Sequence, residues 1–435
     1  MSYSVSGSRY PHPRADIDVR QNALGIMFLF LTAGVLVFRL VMTPHLMNMF
    51  LDYTNEGGPF YAKFHLGTYA IAATLVAALF CRPFVLAGDD ISLFRALVRY
   101  AALMGALVFY LILAGRLGAT GFLIDTYLTA VLTALLMLTQ NEQSRRIIAT
   151  TVLLILLASA VIAIGEALTQ HRLMPFTEGE PFFRATGLSG HPLALGAHCA
   201  IAIGFVPLTR WRIWLKTAAV FVLFIGCAAA GARLALMLSA VEILLLLLFV
   251  RWPKLSARHE RQAKFIALLV TFVIGAVLIA VLLAGGLLSR FSSVVDENSL
   301  ARVRIYQIFS YVGWKEILTG MDATDLLTLV NEKLGLPFIE SAPVIIIMLL
   351  GLPAAIVFTL IVIRYVLRLL RGTPAAAKIG ASIFILVDLS NNALATKTPD
   401  IILLTILIVG FRSSVSAAHV PARPRAGEAV IGGYR

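Results

Sequence analysis

Residues 147–168 read IIATTVLLILLASAVIAIGEAL. As a helix this stretch rises about 33 Å at ~1.5 Å per residue, enough to cross a hydrocarbon layer of about 30 Å. Arg145 and Arg146 stand immediately before it, as expected where a span leaves the membrane on its cytoplasmic side. No water reaches backbone groups inside a bilayer, so such a run must be helical.

Runs of the same kind fill most of the chain. The candidate spans are 24–42, 64–80, 97–114, 120–138, 147–168, 191–208, 213–230, 234–250, 265–285, 342–363, 379–393 and 400–411, the last two being the shortest. The expected fold is an all-α integral membrane protein of about twelve transmembrane helices. The expected layout is a cytoplasmic tail over 1–23, nine spans over 24–285 and a loop over 286–340. Three spans over 341–411 and a second cytoplasmic tail over 412–435 complete it. The first apolar run has no small-residue cleavage site behind it and reads as a retained helix.

Composition agrees. Of the 435 residues, 59% are hydrophobic and 14% charged, against about 25% charged in soluble domains. The net charge of +13 would suggest nucleic acid in a soluble protein. Here the basic residues flank apolar runs, so no nucleic-acid partner is expected, and membrane lipids are. If the N-terminus is cytoplasmic, 24 of the 36 Lys and Arg residues lie on inside segments and 11 on outside ones, which places both termini in the cytoplasm. The three cysteines, Cys81, Cys199 and Cys227, sit in or beside apolar runs, which argues against a disulfide framework. No CxxC or HExxH spacing is present, and no metal or other cofactor is expected.

The two longest connections, 169–190 and 286–340, face outward in this topology. In the second, Asn298 and Ser299 can cap a helix running to about Leu318, and Asp322 can cap another that Gly335 and Pro337 would end. An ordered loop of this size is usually functional.

The outward segments carry arginines where the positive-inside rule depletes them: Arg184, Arg233, Arg290, Arg302 and Arg304. Guanidinium forks suit phosphate oxygens, and several at one face suggest a site for a lipid-linked phosphate or diphosphate. An isolated arginine there could equally contact headgroups. Arg233 sits in a turn too short to leave the interface, and is expected to point into the bundle. His191 is either a polar helix cap or a catalytic group. Glu340 is either a general base or an interfacial acid. Within spans, Arg39 is near enough to the outer end to snorkel, whereas Glu242 needs a partner or a water-filled cavity. Asp388 has the same choice between proton pathway and structural partner.

The string Arg-Ala-Thr-Gly-Leu-Ser-Gly-His-Pro over 184–192, the Gly-Ala-Arg turn over 231–233, the segment from Arg302 through Arg304 and Tyr306 to Gly320, and the Leu-Leu-Gly-Leu-Pro that follows Glu340 at 349–353 together resemble the bacterial O-antigen ligase and polysaccharide polymerase superfamily (Wzy and WaaL type). The resemblance covers about residues 150–370. Glu340-Ser341 stands where that family often has His-Asn, which is closer to VpsF-like exopolysaccharide proteins. The resemblance implies a metal-independent membrane glycosyltransferase in a bacterial inner membrane. Its donor would be an undecaprenyl-diphosphate-linked oligosaccharide and its acceptor a growing glycan, with other polysaccharide export proteins as further partners. Arg184, Arg233, Arg290, Arg302 and Arg304 would hold the diphosphate, and His191 or Glu340 would orient or deprotonate the acceptor. Polymerase and ligase remain open, as does a transporter or flippase of lipid-linked sugars.

Overall fold

The computed structural model describes residues 13–54, 59–81, 84, 86, 88–174, 176, 183–251, 256–284 and 303–413. Among the described residues every regular element is helical. The principal helices are α1 (Pro13–Val41), α2 (Leu66–Cys81), α3 (Asp89–Leu113), α4 (Leu117–Leu138), α5 (Glu142–Thr169), α6 (Pro192–Phe205), α7 (Ile213–Ala229), α8 (Arg233–Phe249) and α9 (Ala257–Ala284). After them come α10 (Trp314–Thr319), α11 (Ala323–Leu334), α12 (Ala342–Leu350), α13 (Leu352–Leu370), α14 (Ala375–Leu389) and α15 (Asp400–Phe411).

Five helices are long and apolar enough to cross a membrane: Asn22–Val41 within α1, then α3, α4, α5 and α13. Several of the others are shorter apolar helices, among them α2, α6, α7 and α15. The 14 residues of α6 and the 12 of α15 rise only about 18–21 Å. Their burial explains how they can be short. Every residue of α15 is buried, and α6 is buried on all sides by α5, α7, α8 and α14. The outer helices reverse the soluble pattern. Large apolar side chains such as Phe80, Leu113 and Phe272 are the exposed ones, at 86%, 72% and 74%. An exterior this apolar fits a lipid solvent better than water.

Local chemistry sets the helix ends. Asn141 caps α5 by accepting a bond from the Ser144 amide at 2.7 Å, and Glu142 adds negative charge in the first turn. The predicted Asp322 cap is present, with its carboxylate accepting from the Thr324 amide, and Gly335 ends α11 in the left-handed region. The other loop expectation is corrected. Asn298 and Ser299 lie outside the described residues, and no single helix reaches Leu318. Instead a 3-10 turn, Ile305–Ser310, is followed by an extended Gly313, which starts α10 afresh. The tenth predicted span is likewise two helices, α12 and α13, broken at Gly351 with φ of 81°. The break is occupied: a Cβ on Gly351 would strike the Leu318 carbonyl and the Gly320 amide, so α10 docks into it. At the crossing of α6 and α14, Gly204 and Gly380 meet backbone to backbone.

Contacts draw the loops into one end of the bundle. Gly190 packs on Thr43, Lys397 donates to the carbonyls of Tyr53 and Lys63, and Asn392 donates to the Ile339 carbonyl. This loop-rich end carries the candidate site.

Candidate functional site

The 184–192 string is held by two side chains of α5. The Glu166 carboxylate accepts the amides of Leu173, Thr186 and Gly187 at 2.8, 2.8 and 2.9 Å. Ser159 Oγ accepts the Leu188 amide at 3.0 Å. Gly187 and Gly190 have φ of 51° and 71°. A Cβ on Gly187 would land on Ser159, and one on Gly190 would land on Thr43. The glycines of the motif are therefore required by close packing as well as by backbone shape.

Arg184 is buried, and its Nε donates to the Ala230 carbonyl at 3.1 Å. Its own carbonyl accepts from Arg172, whose guanidinium lies over the rings of Phe176 and Phe183. Ala230 begins the turn that ends at Arg233, the first residue of α8. Arg184 and Arg233 are thereby tied to one turn. Arg233 is half-buried.

His191 caps α6: its Nδ1 accepts the Leu193 amide at 3.1 Å, and Pro192 follows at the first helical position. Phe176 packs edge-on against the ring. Burial pushes the imidazole down to about 4, and the Arg184 charge adds to that shift against the opposing pull of Asp400. His191 is accordingly neutral near pH 7. With Nδ1 accepting, its proton sits on Nε2.

Glu340 is half-buried beside Ser341, whose hydroxyl meets the Tyr306 hydroxyl at 3.4 Å. The flanking bonds from Asn392 to Ile339 and from the Ala342 amide to Asn391 join this segment to the α14–α15 connection. Arg304 is exposed at the head of the 305–310 turn. Arg290 and Arg302 lie outside the described residues. The arrangement therefore unites Arg184, His191 and the Arg233 turn, and places Glu340 with Tyr306 and the 391–392 loop.

Arg39 corrects an expectation. It does not snorkel: it is 1% exposed, with Nη2 donating to the carbonyls of Asp125 and Thr398 at 3.3 and 3.5 Å. Asp125 lies in a π-helical turn, 123–128, within α4. Its carboxylate accepts from Tyr53 Oη, Thr68 Oγ1 and the His65 amide. π-turns are frequent at functional sites, and here the acid in the turn locks the 43–65 loop to the bundle. Glu242 and Asp388 are fully buried, and among the described residues none of their carboxylate oxygens has a hydrogen-bond partner.

Sequence reading passed over one further group. His198, on α6, contacts Ser189 Oγ through Nδ1 at 2.9 Å and Asp400 Oδ1 through Nε2 at 2.9 Å. His198 and Asp400 are separated by 202 residues. A histidine and an aspartate in separate apolar runs were the available signal, but nothing local paired them. Among the described residues no group of three or more His, Cys, Asp and Glu side chains is placed to hold a metal ion. A cavity of about 580 Å³ lies at the opposite end of α5 between Glu142, Arg146, Arg210 and Trp211, away from these groups.

No family model, no curated protein and no solved structure matches the chain.

Proposed function

We propose that this chain is a polysaccharide polymerase of a bacterial inner membrane, moving glycan from undecaprenyl diphosphate to a growing chain at the periplasmic face. The observation that carries the reading is the pairing of Arg184 with the Arg233 turn beside a neutral His191, all at the end where the 303–341 connection folds back. In this reading the described helices form twelve crossings with both termini cytoplasmic, the short ones sheltered inside the longer ones. The loop-rich end is periplasmic.

The reaction needs negative charge stabilised on the departing diphosphate. Fixed guanidinium groups in a poorly hydrated site supply that without reorganisation. His191, with its proton on Nε2, adds a neutral donor. Arg304 and Glu340 lie toward the loop, where the sugars would sit, and Arg290 and Arg302 are proposed to complete the clamp. Removing one such donor generally costs about 10²–10³ in rate.

The test uses purified protein in nanodiscs with undecaprenyl-diphosphate-linked oligosaccharide. Elongated glycan and released lipid diphosphate are expected, and Arg233→Ala should lower the rate at least a hundredfold while the protein stays folded. Transfer to lipid A core instead of to glycan would make the chain a ligase. Wild-type yield from Arg233→Ala would sink the diphosphate clamp. A second reading, a proton-coupled transporter of lipid-linked sugars, draws on Glu242 and Asp388. Buried acids without partners suit proton carriage. Substrate movement across the bilayer without any new glycosidic bond would favour it.

A further inference from the structure

We infer that Ser189, His198 and Asp400 form a proton relay that takes the proton from the attacking hydroxyl group, a role for which Glu340 and His191 are the obvious candidates. The inference rests on the glycosyl-transfer reading and names its missing base.

The hydrogen bonds fix the direction of the relay. Asp400 is completely buried, and its Oδ1 meets His198 Nε2 at 2.9 Å. A carboxylate there accepts a bond, so the imidazole proton belongs on Nε2. His198 Nδ1 is then left with a lone pair, and Ser189 Oγ–H stands 2.9 Å from it. This is a base, its orienting acid and a hydroxyl within mutual reach, the constellation that activates hydroxyls on unrelated folds. The ring nitrogens are used in the opposite sense to the serine-protease arrangement, which changes nothing in the proton bookkeeping. His191 cannot serve in this way, because its accepting nitrogen already binds the Leu193 amide.

Position supports the role. Ser189 is half-buried in the same loop that presents Arg184 and His191, and that loop is clamped by Glu166 and Ser159. Ser189 and His198 line a cavity of about 10 Å³ with Ser159, Leu40, Ile155 and Leu156. That is room for about one water at most, so the acceptor hydroxyl must meet Ser189 from its exposed side, in the loop that carries Arg184 and His191. Asp388 lies close enough to Asp400 to interact electrostatically.

In the proposed step the acceptor hydroxyl passes its proton to Ser189 Oγ as the Ser189 proton moves to His198 Nδ1. The acceptor oxygen bonds to the anomeric carbon while that carbon's bond to the diphosphate oxygen breaks. The electron pair leaves with the diphosphate toward Arg184 and Arg233. The imidazolium, held by Asp400, releases its proton to the departing diphosphate or to water. Ser189 touches the substrate, whereas His198 and Asp400 act through it.

The test uses full-length protein in nanodiscs with undecaprenyl-diphosphate-linked oligosaccharide. The titratable and charged groups on the helices packed around α6 are Glu142, Arg145, Arg146 and Glu166 on α5, Lys216 and Cys227 on α7, Arg233 and Glu242 on α8, Lys378 and Asp388 on α14 and Asp400 on α15, with Arg184 and His191 from the loop. Of these, Asp400 is hydrogen-bonded to the ring. H198G should lower kcat by about 10²–10⁴ with little change in KM, and should lose the acidic limb of the pH profile. Added imidazole should restore rate in proportion to its free base. S189A should lose rate without imidazole rescue, and Asp322→Asn, a loop-helix cap, should leave rate unchanged. A retained pH limb in H198G, or no rescue by imidazole, would overturn the relay. A substrate-free measurement guards against misfolding. In wild-type protein labelled with nitrogen-15 histidine, the resonances lost in H198Q should report Nε2 protonated and Nδ1 bare. The reverse tautomer refutes the relay even if transfer occurs. Absence of transfer in wild-type protein refutes the polymerase reading and the relay's catalytic role with it, whichever tautomer is found.

Discussion

Replacing Glu166 by glutamine should free the 184–192 loop while leaving the helix bundle intact. The carboxylate accepts three amides, one on Oε1 and two on Oε2. Glutamine keeps one oxygen. In its better orientation that oxygen faces Thr186 and Gly187, and the new NH₂ group faces the Leu173 amide, donor against donor. One charge-assisted bond worth about 1.5–3 kcal/mol is lost, and the other two fall to neutral bonds at about 1 kcal/mol less each. The sum is about 4 kcal/mol. At about 1.4 kcal/mol per tenfold, that is roughly a thousandfold in local opening. Hydrogen exchange read by mass spectrometry on peptides spanning 183–191 measures this opening directly. Exchange there should accelerate about 10²–10³-fold, with peptides from α15 unchanged. Glycan transfer should fall too, because Arg184, Ser189 and His191 would lose their fixed positions. Unaltered exchange over 183–191 would refute the view that Glu166 organises the loop.

Asp125→Ala should cost at least about 3 kcal/mol, because it strips the buried Tyr53 and Thr68 hydroxyls and the His65 amide of their acceptor at about 1–3 kcal/mol each, while Arg39 keeps its bond to the residue-125 carbonyl; thermal unfolding in detergent followed by tryptophan fluorescence checks this, and an unshifted transition would contradict it. Gly351→Ala places a Cβ at φ of 81° against the Leu318 carbonyl, so α10 should undock and protease cleavage between 305 and 322 should quicken; unchanged cleavage would show that the helix break tolerates a side chain. His191 is held down to about 4 in the fold against about 6.5 when unfolded. The unfolded chain therefore binds the proton first as pH falls, and stability declines from about pH 6.5 to about pH 4. His191→Gln should flatten that decline in a melting series across this range, and an equally steep series in the variant would assign it to other groups.

Much of the helical layout can be read from the chain because hydrophobic runs and cap residues act locally. The Asp322 cap, the Gly335 stop and the His191-Pro192 helix start lie where the sequence puts them. The Arg184 and Arg233 motifs were legible as a candidate site because arginines are conspicuous outside the cytoplasmic flanks. Length readings failed where helices pack on each other. The 342–363 run is uniformly apolar, yet Gly351 breaks it to admit α10. Arg39 looked like a snorkelling residue because its partners, Asp125 and Thr398, are 86 and 359 positions away.

By itself the sequence determined that this is a helical chain with an apolar exterior, because a helix satisfies its own backbone within a run of about 20 residues and its pattern is complete there. The tertiary structure decided which polar groups meet. His198 joins Ser189 nearby and Asp400 from the last helix, Arg184 reaches the turn before Arg233, and Glu166 gathers the loop between them. A side chain's partner depends on how α5, α6 and α15 pack, and that packing is set by close contacts such as Gly204 on Gly380. Such contacts follow from shape across hundreds of residues and leave no local pattern in the chain.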